Sequence, residues 1–282
     1  MVFDLFTFVL VAGGCGLLVF GLLRRVSPLR RWGNHGNVFT GVVAPWDLCV
    51  AGAFLAYYYA SAHSMVGSPP QVGAMGVPEV VLMLLWQLLL PGALVFYLGV
   101  LRRIDLGEFY GARRLPPLKV VLWSVGGMLL VAYPLVIGAA LANGMLVERA
   151  GFEPENQLAV RLLLSNDDPA FQILLAFSAA VVAPLSEEVI FRGFLYPVFK
   201  AFTDRFFATF FSAATFALVH YDLGSVLPLF ALGISFAVAF ELTGCLWVPI
   251  GMHALFNLTN LVLLRFAEEV VPVAPALTMT AP

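Results

Sequence analysis

Charge is what this sequence has least of. Only 11% of its 282 residues are Asp, Glu, Lys or Arg, where a soluble domain carries about 25%. The 15 basic and 17 acidic side chains nearly cancel, so the chain offers no field for nucleic acid or another strongly charged partner. Cysteine is equally scarce. Cys15, Cys49 and Cys245 stand far apart in apolar stretches, which excludes a disulfide framework and a thiolate zinc site and leaves them as packing residues. No internal repeat or low-complexity tract is present. What the chain does have is a 61% hydrophobic composition, which implies an all-α, polytopic membrane bundle with lipid on its outside.

A helix needs about 20 apolar residues to cross a bilayer. On that measure about eight spans are predicted, near 2–23, 44–62, 78–101, 119–142, 170–201, 205–221, 225–243 and 247–266. The first lacks a basic start and a small-residue cleavage site and reads as a retained span. Lys and Arg gather in alternate connections: Arg24, Arg25, Arg30 and Arg31; Arg102, Arg103, Arg113, Arg114 and Lys119; Lys200 and Arg205. The positive-inside rule then puts both termini outside and the basic loops in the cytoplasm, as in a multi-pass protein of the plasma membrane. Residues 63–77 read as a Gly/Pro/Ser-rich loop, 143–169 as a mixed polar loop in preference to a short interfacial helix, and 267–282 as a frayed tail.

Ionisable groups inside spans cost about 2.5–3.5 kcal/mol each on insertion scales, so their positions carry the information. Asp4 and Asp47 fall near span ends, within reach of water, and Glu241 reads as a solvated cap at the end of the seventh span. The second half of the chain differs. Glu188 and Arg192 are four residues apart with the acid first, the favourable order for an intrahelical pair. Glu187 lies about 100° around the helix without a local cation, and is a candidate general base. Pro184 removes the hydrogen bond to the Ala180 carbonyl and can kink the wall. If the chain reverses around Phe202, Thr203 and Asp204, equal counting from that turn brings Glu187 and His220 to one depth, about 25 Å from it. A carboxylate and an imidazole so placed can polarise a water molecule between them. Phe216 precedes His220 by one turn and would fix its ring. His253 and Asn257 share a face and can offer N–H groups to an oxyanion, with Pro249 bending the helix before them and Asn260 left for interhelical hydrogen bonding. Any one of these residues alone is more often a packing element. Their convergence on consecutive spans favours a site.

At these residues the resemblance is specific. Glu187-Glu188 with Arg192 forms EExxxR, Phe216 with His220 forms FxxxH, and His253 with Asn257 forms HxxxN. In this order on successive apolar helices they resemble the CPBP family of intramembrane proteases, which includes the type II CAAX prenyl endopeptidases and bacteriocin-processing or immunity proteins. The resemblance covers about residues 171–264. It implies about eight helices around a polar cavity, with Glu187 and His220 activating water, His253 and Asn257 steadying the tetrahedral intermediate, and Glu188 with Arg192 in support. Its implied partners are the lipid bilayer and a peptide or membrane-associated protein substrate. Residues 170–266 would then be the catalytic helices and 1–150 a set of spans without a recognised motif. Glu187, His220 and His253 could also supply a zinc ligand set; a metal-free activated water uses the same residues, and both readings stay open.

Other chemistries lack their residues. No HExxH occurs, which excludes a zincin-like site; Phe236 follows Ser235 where a rhomboid serine motif needs glycine; Tyr221-Asp222 has no GxGD partner. Two rival functions keep the same polar residues, a catalytically silent immunity protein and a proton-coupled transporter. The second fits less well, because the chain shows no inverted repeat.

Overall fold

The computed structural model describes residues 36–67, 75–149, 151, 162, 166, 168–222 and 224–270. Among these, every regular element is helical. Helix α1 is Pro45–Gly67, α2 Val77–Leu101, α3 the short Leu106–Phe109 and α4 Pro117–Arg149. They are followed by α5 Pro169–Phe202, α6 Arg205–Leu218, α7 Val226–Thr243 and α8 Trp247–Val270. Five of them, α2, α4, α5, α7 and α8, are long and apolar enough to cross a membrane.

The expected count of eight spans is not reached among the described residues. The span at 2–23 lies outside them, as do residues 68–74 of the loop at 63–77 and the tail at 271–282. Helix α6 stops at Leu218, and its 14 residues rise only about 21 Å. Two predicted loops are partly helix: α1 runs on to Gly67 and α4 to Arg149. Buried Asn143 explains the second extension, because it donates to the Gly224 carbonyl (2.8 Å) and ties this last stretch to the start of α7.

Helix α5 is the axis of the bundle. Its residues 188–200 are buried without exception, packed by α6 and α7 into the main core. Helices α2 and α4 instead turn large apolar side chains such as Leu82, Leu85 and Leu130 outward, as a lipid-facing surface requires. The helices are not uniform. Wider π-helical turns occur at Tyr97–Leu101, Met128–Ala132, Ser178–Val182 and Phe191–Leu195, and the last three are each followed two residues later by a proline: Pro134, Pro184 and Pro197. Proline cannot donate to the carbonyl four residues back and crowds it, so the chain widens by one residue before each ring. Pro184 thus acts through a π-bulge. Pro249, by contrast, sits in the first turn of α8, where a missing N–H costs nothing; it starts that helix and does not bend it.

Three polar expectations are corrected. Asp47 is buried, accepting from Ala44 N (2.7 Å), Tyr97 Oη (2.6 Å) and the Arg102 guanidinium. Glu241 is no solvated cap: it binds Lys200 Nζ at 2.7 Å and accepts from Tyr196 Oη at 2.7 Å. Lys200 itself is buried within α5 and caps the Val38 carbonyl (3.1 Å), so it is not a loop charge. Of the cysteines, Cys245 is buried in the core and its thiol is pushed up by that burial, Cys49 is exposed, and Cys15 lies outside the described residues.

Helices α6 and α7 pack tightly where Gly233 meets Ala213. A methyl group at Gly233 would stand 2.9 Å from Ala213 Cα. Gly233→Val is therefore expected to separate the two helices and cost about 1–3 kcal/mol, read as a lowered thermal midpoint in detergent; an unchanged midpoint would refute this contact.

Candidate active site

The turn between α5 and α6 is made by Thr203 and Asp204, whose carboxylate caps α6 by accepting from Phe207 N (2.8 Å). The two helices then run antiparallel with Glu187 and His220 opposite one another, Glu187 Oε2 standing 3.8 Å from His220 Nε2. His253 on α8 approaches from the other side, its Nε2 3.9 Å from the same oxygen. Glu187 Oε2 is buried and has no hydrogen-bond partner among the described residues.

Both imidazoles are fixed from behind. His220 Nδ1 lies 2.7 Å from the Phe216 carbonyl; a carbonyl only accepts, so Nδ1 carries the proton and Nε2 turns a lone pair toward Glu187. His253 Nδ1 lies 3.0 Å from Glu188 Oε1, which holds that ring in the same tautomeric sense. The next residue after His220, Tyr221, adopts a left-handed backbone (φ 53°), uncommon for a residue with a side chain, and its hydroxyl donates to the Tyr58 carbonyl of α1. The histidine turn is thereby tied to a helix from the first half of the chain.

Behind Glu187 lies a second, wholly buried layer. Arg192 Nη1 donates to Glu188 Oε1 (2.8 Å) and Nη2 to the Gly233 carbonyl (3.0 Å). The guanidinium stands 4.5 Å from the Phe216 ring centre and 5.2 Å from that of Phe236, a cation–π arrangement among fully buried side chains. Phe216 also meets His220 edge-on at 4.9 Å, and Phe236 stacks on His253 at 5.1 Å. Asn257 spends one N–H on the Ala179 carbonyl (2.8 Å), a carbonyl in the π-bulge of α5; its other N–H remains for chemistry. Asn260, expected to hydrogen-bond between helices, has no such bond among the described residues.

The reactive edge of this cluster opens into a cavity of about 450 Å³. Glu187, His220, His253 and Asn257 line it, together with Gln87 and Met83 of α2. Three contributors escaped sequence reasoning. Phe236 was visible only as the residue that spoils a serine motif, Gly233 only as the glycine two residues before Ser235 in that near-match, and Gln87 was not singled out at all.

A metal would find suitable donor types in Glu187 Oε2 and the two Nε2 atoms, but not suitable spacing. Tetrahedral zinc with bonds of about 2.0–2.1 Å sets its ligand atoms about 3.3 Å apart; here the separations from Glu187 are 3.8 and 3.9 Å. Among the described residues no group of three His, Cys, Asp or Glu side chains is placed to hold an ion. Two acceptors bonded by one water molecule at about 2.8 Å each stand about 4.5 Å apart, so the observed separations lie between the two spacings.

Residues 169–259 match the family model described as type II CAAX prenyl endopeptidase Rce1-like, the family type read from the three motifs and the segment that holds all of them. The chain is also 30% identical over 137 residues to a protein named "Putative membrane peptidase YdiL" from Bacillus subtilis (strain 168), across 49% of this chain and 53% of that protein. It therefore spans about half the length of this curated relative. No solved structure matches the chain.

Proposed function

We propose that the protein is an intramembrane endopeptidase whose nucleophile is a water molecule held between Glu187 and His220. The observation that carries this reading is the buried, unpaired Oε2 of Glu187, faced at 3.8 and 3.9 Å by two imidazole nitrogens at the base of a cavity. Glu187 takes a proton from the water while the oxygen attacks the scissile carbonyl carbon, and His220 Nε2 accepts the second O–H and aims the lone pair. The proton passes from Glu187 to His253 Nε2. The imidazolium so formed, its Nδ1–H held by Glu188, donates to the tetrahedral oxyanion beside the free N–H of Asn257. Transfer of that proton to the amide nitrogen breaks the C–N bond and restores the neutral His253, Glu187 having been ionised again when it gave its proton up.

In this reading residues 170–266 are the catalytic helices, the bilayer is the immediate partner, and the substrate is a peptide or a membrane-associated protein. The cleaved bond lies in the cytoplasmic half of a plasma-membrane bilayer.

The test is a comparison of protein termini in membranes carrying the wild type or Glu187→Ala. New termini present with the wild type and absent with the variant are expected; identical sets refute the proposal. Adding a zinc chelator is expected to leave the wild-type termini in place, because no step depends on an ion. Their loss on chelation, with recovery on zinc addition, would overturn the water-only mechanism while keeping the protease.

A further inference from the structure

The cavity extends well away from Glu187, and its far end is built by a helix outside the matched segment. There Gln87 of α2 accepts from Ser178 Oγ through Oε1 (3.1 Å). A serine hydroxyl both donates and accepts, so in either orientation of the amide at least one Gln87 N–H has no acceptor among the described residues although Gln87 lines the cavity. A neutral amide inside an apolar span is costly unless it is paired, so an N–H donor held toward the cavity calls for an acceptor that arrives from outside. Asn260 lines the same cavity from α8, also without a side-chain partner among the described residues. Around them the lining is apolar, with Met83, Leu162 and Leu175.

Resting on the protease reading, we infer that Gln87, assisted by Asn260, binds the substrate main chain at a position remote from the cleaved bond. The bond runs from the Gln87 amide to a peptide carbonyl, and the surrounding walls select apolar side chains. Geometry sets the position. Ser178 and Glu187 are nine residues apart on α5, about 13 Å of rise, and an extended peptide advances about 3.3 Å per residue. The contact therefore falls about four residues from the scissile bond. The substrate class is an extended, apolar peptide of at least that reach, recognised in part by α2.

This role predicts a KM effect confined to long substrates, since a contact distant from the reacting atoms serves ground state and transition state alike. The experiment reconstitutes the full chain in liposomes with a library of apolar 12-residue peptides, selects one that the wild type cleaves, and uses Glu187→Ala as the blank. Gln87→Met, which keeps length and loses the donor, is expected to raise KM about tenfold with kcat within twofold. A version of the peptide cut back to two residues on either side of the scissile bond should be cleaved equally by both proteins. Asn260→Leu gives a second, independent reading of the same kind should Gln87→Met fail to fold. A cleaving wild type whose KM is indifferent to both substitutions overturns this inference alone, as does an equal loss on long and short peptides, the mark of a merely structural role. A wild type that cleaves no peptide overturns the protease reading and this one with it.

Discussion

Glu187→Gln is expected to lower kcat about a thousandfold or more, the upper part of the range for loss of a positioned base, while KM changes by no more than a few-fold. Glutamine keeps the size and the hydrogen-bonding reach of the side chain but cannot take a proton from water. Stability should hardly move. Glu187 is partly exposed to the cavity, and its Oε2 has no protein hydrogen bond to lose among the described residues. His220→Ala should cost a similar factor by removing the second acceptor of the water, and the double variant should be little worse than either, because the two act on one molecule. The measurement is single-turnover cleavage in liposomes with the thermal midpoint recorded alongside. A Glu187→Gln protein that retains a tenth of the wild-type rate would end the role assigned to this carboxylate.

The depth relation between Glu187 and His220 was legible because it needs only a fixed rise per residue and an assumed turn at residues 202–204; that Asp204 caps the next helix came only with the structure. The pairing of Glu188 with Arg192 is equally local, a four-residue spacing with the acid first. Contacts of long sequence separation were not legible. Glu241 finds Lys200 forty-one residues away, and Asp47 finds Arg102 at fifty-five; a charge at the end of an apolar run reads as solvated when its partner cannot be seen. The π-helical turns were hidden for a different reason. A proline in a span signals a disturbed helix, but whether the chain kinks or inserts a residue is settled by its neighbours: Ser212 Oγ donates to the Phe191 carbonyl (3.1 Å) and Asn257 to that of Ala179 (2.8 Å). Each insertion also rotates the downstream residues by about 100°, which a straight-helix projection of α5 does not anticipate. Gln87 lay in the half of the chain without motifs, and only the fold brought it to the cavity.

Arg192→Leu is expected to be the most damaging single change to stability, costing about 3–5 kcal/mol. Its guanidinium is fully buried, and removing it leaves the equally buried Glu188 carboxylate facing His253 without its guanidinium partner. The Gly233 carbonyl loses its donor at the same stroke, just where α6 and α7 pack tightly. Arg192→Lys should fare only slightly better: a lysine presents one charged point where the site requires a fork that reaches a carboxylate and a carbonyl together, and it gives up the planar contact with Phe216 and Phe236. The double variant Glu188→Gln with Arg192→Met separates stability from function. It leaves no buried charge of this pair, so it should recover much of the lost midpoint in detergent, since burying an unpaired charge is the dominant cost. It should not recover turnover, because the anionic anchor for the proton on His253 Nδ1 is gone and the imidazolium formed during the reaction has no carboxylate behind it. Thermal unfolding and cleavage measured on the same preparations decide the matter. If Arg192→Leu unfolds no earlier than the wild type, the buried pair is not what holds these helices together; if the double variant cleaves at the wild-type rate, Glu188 plays no part in orienting His253.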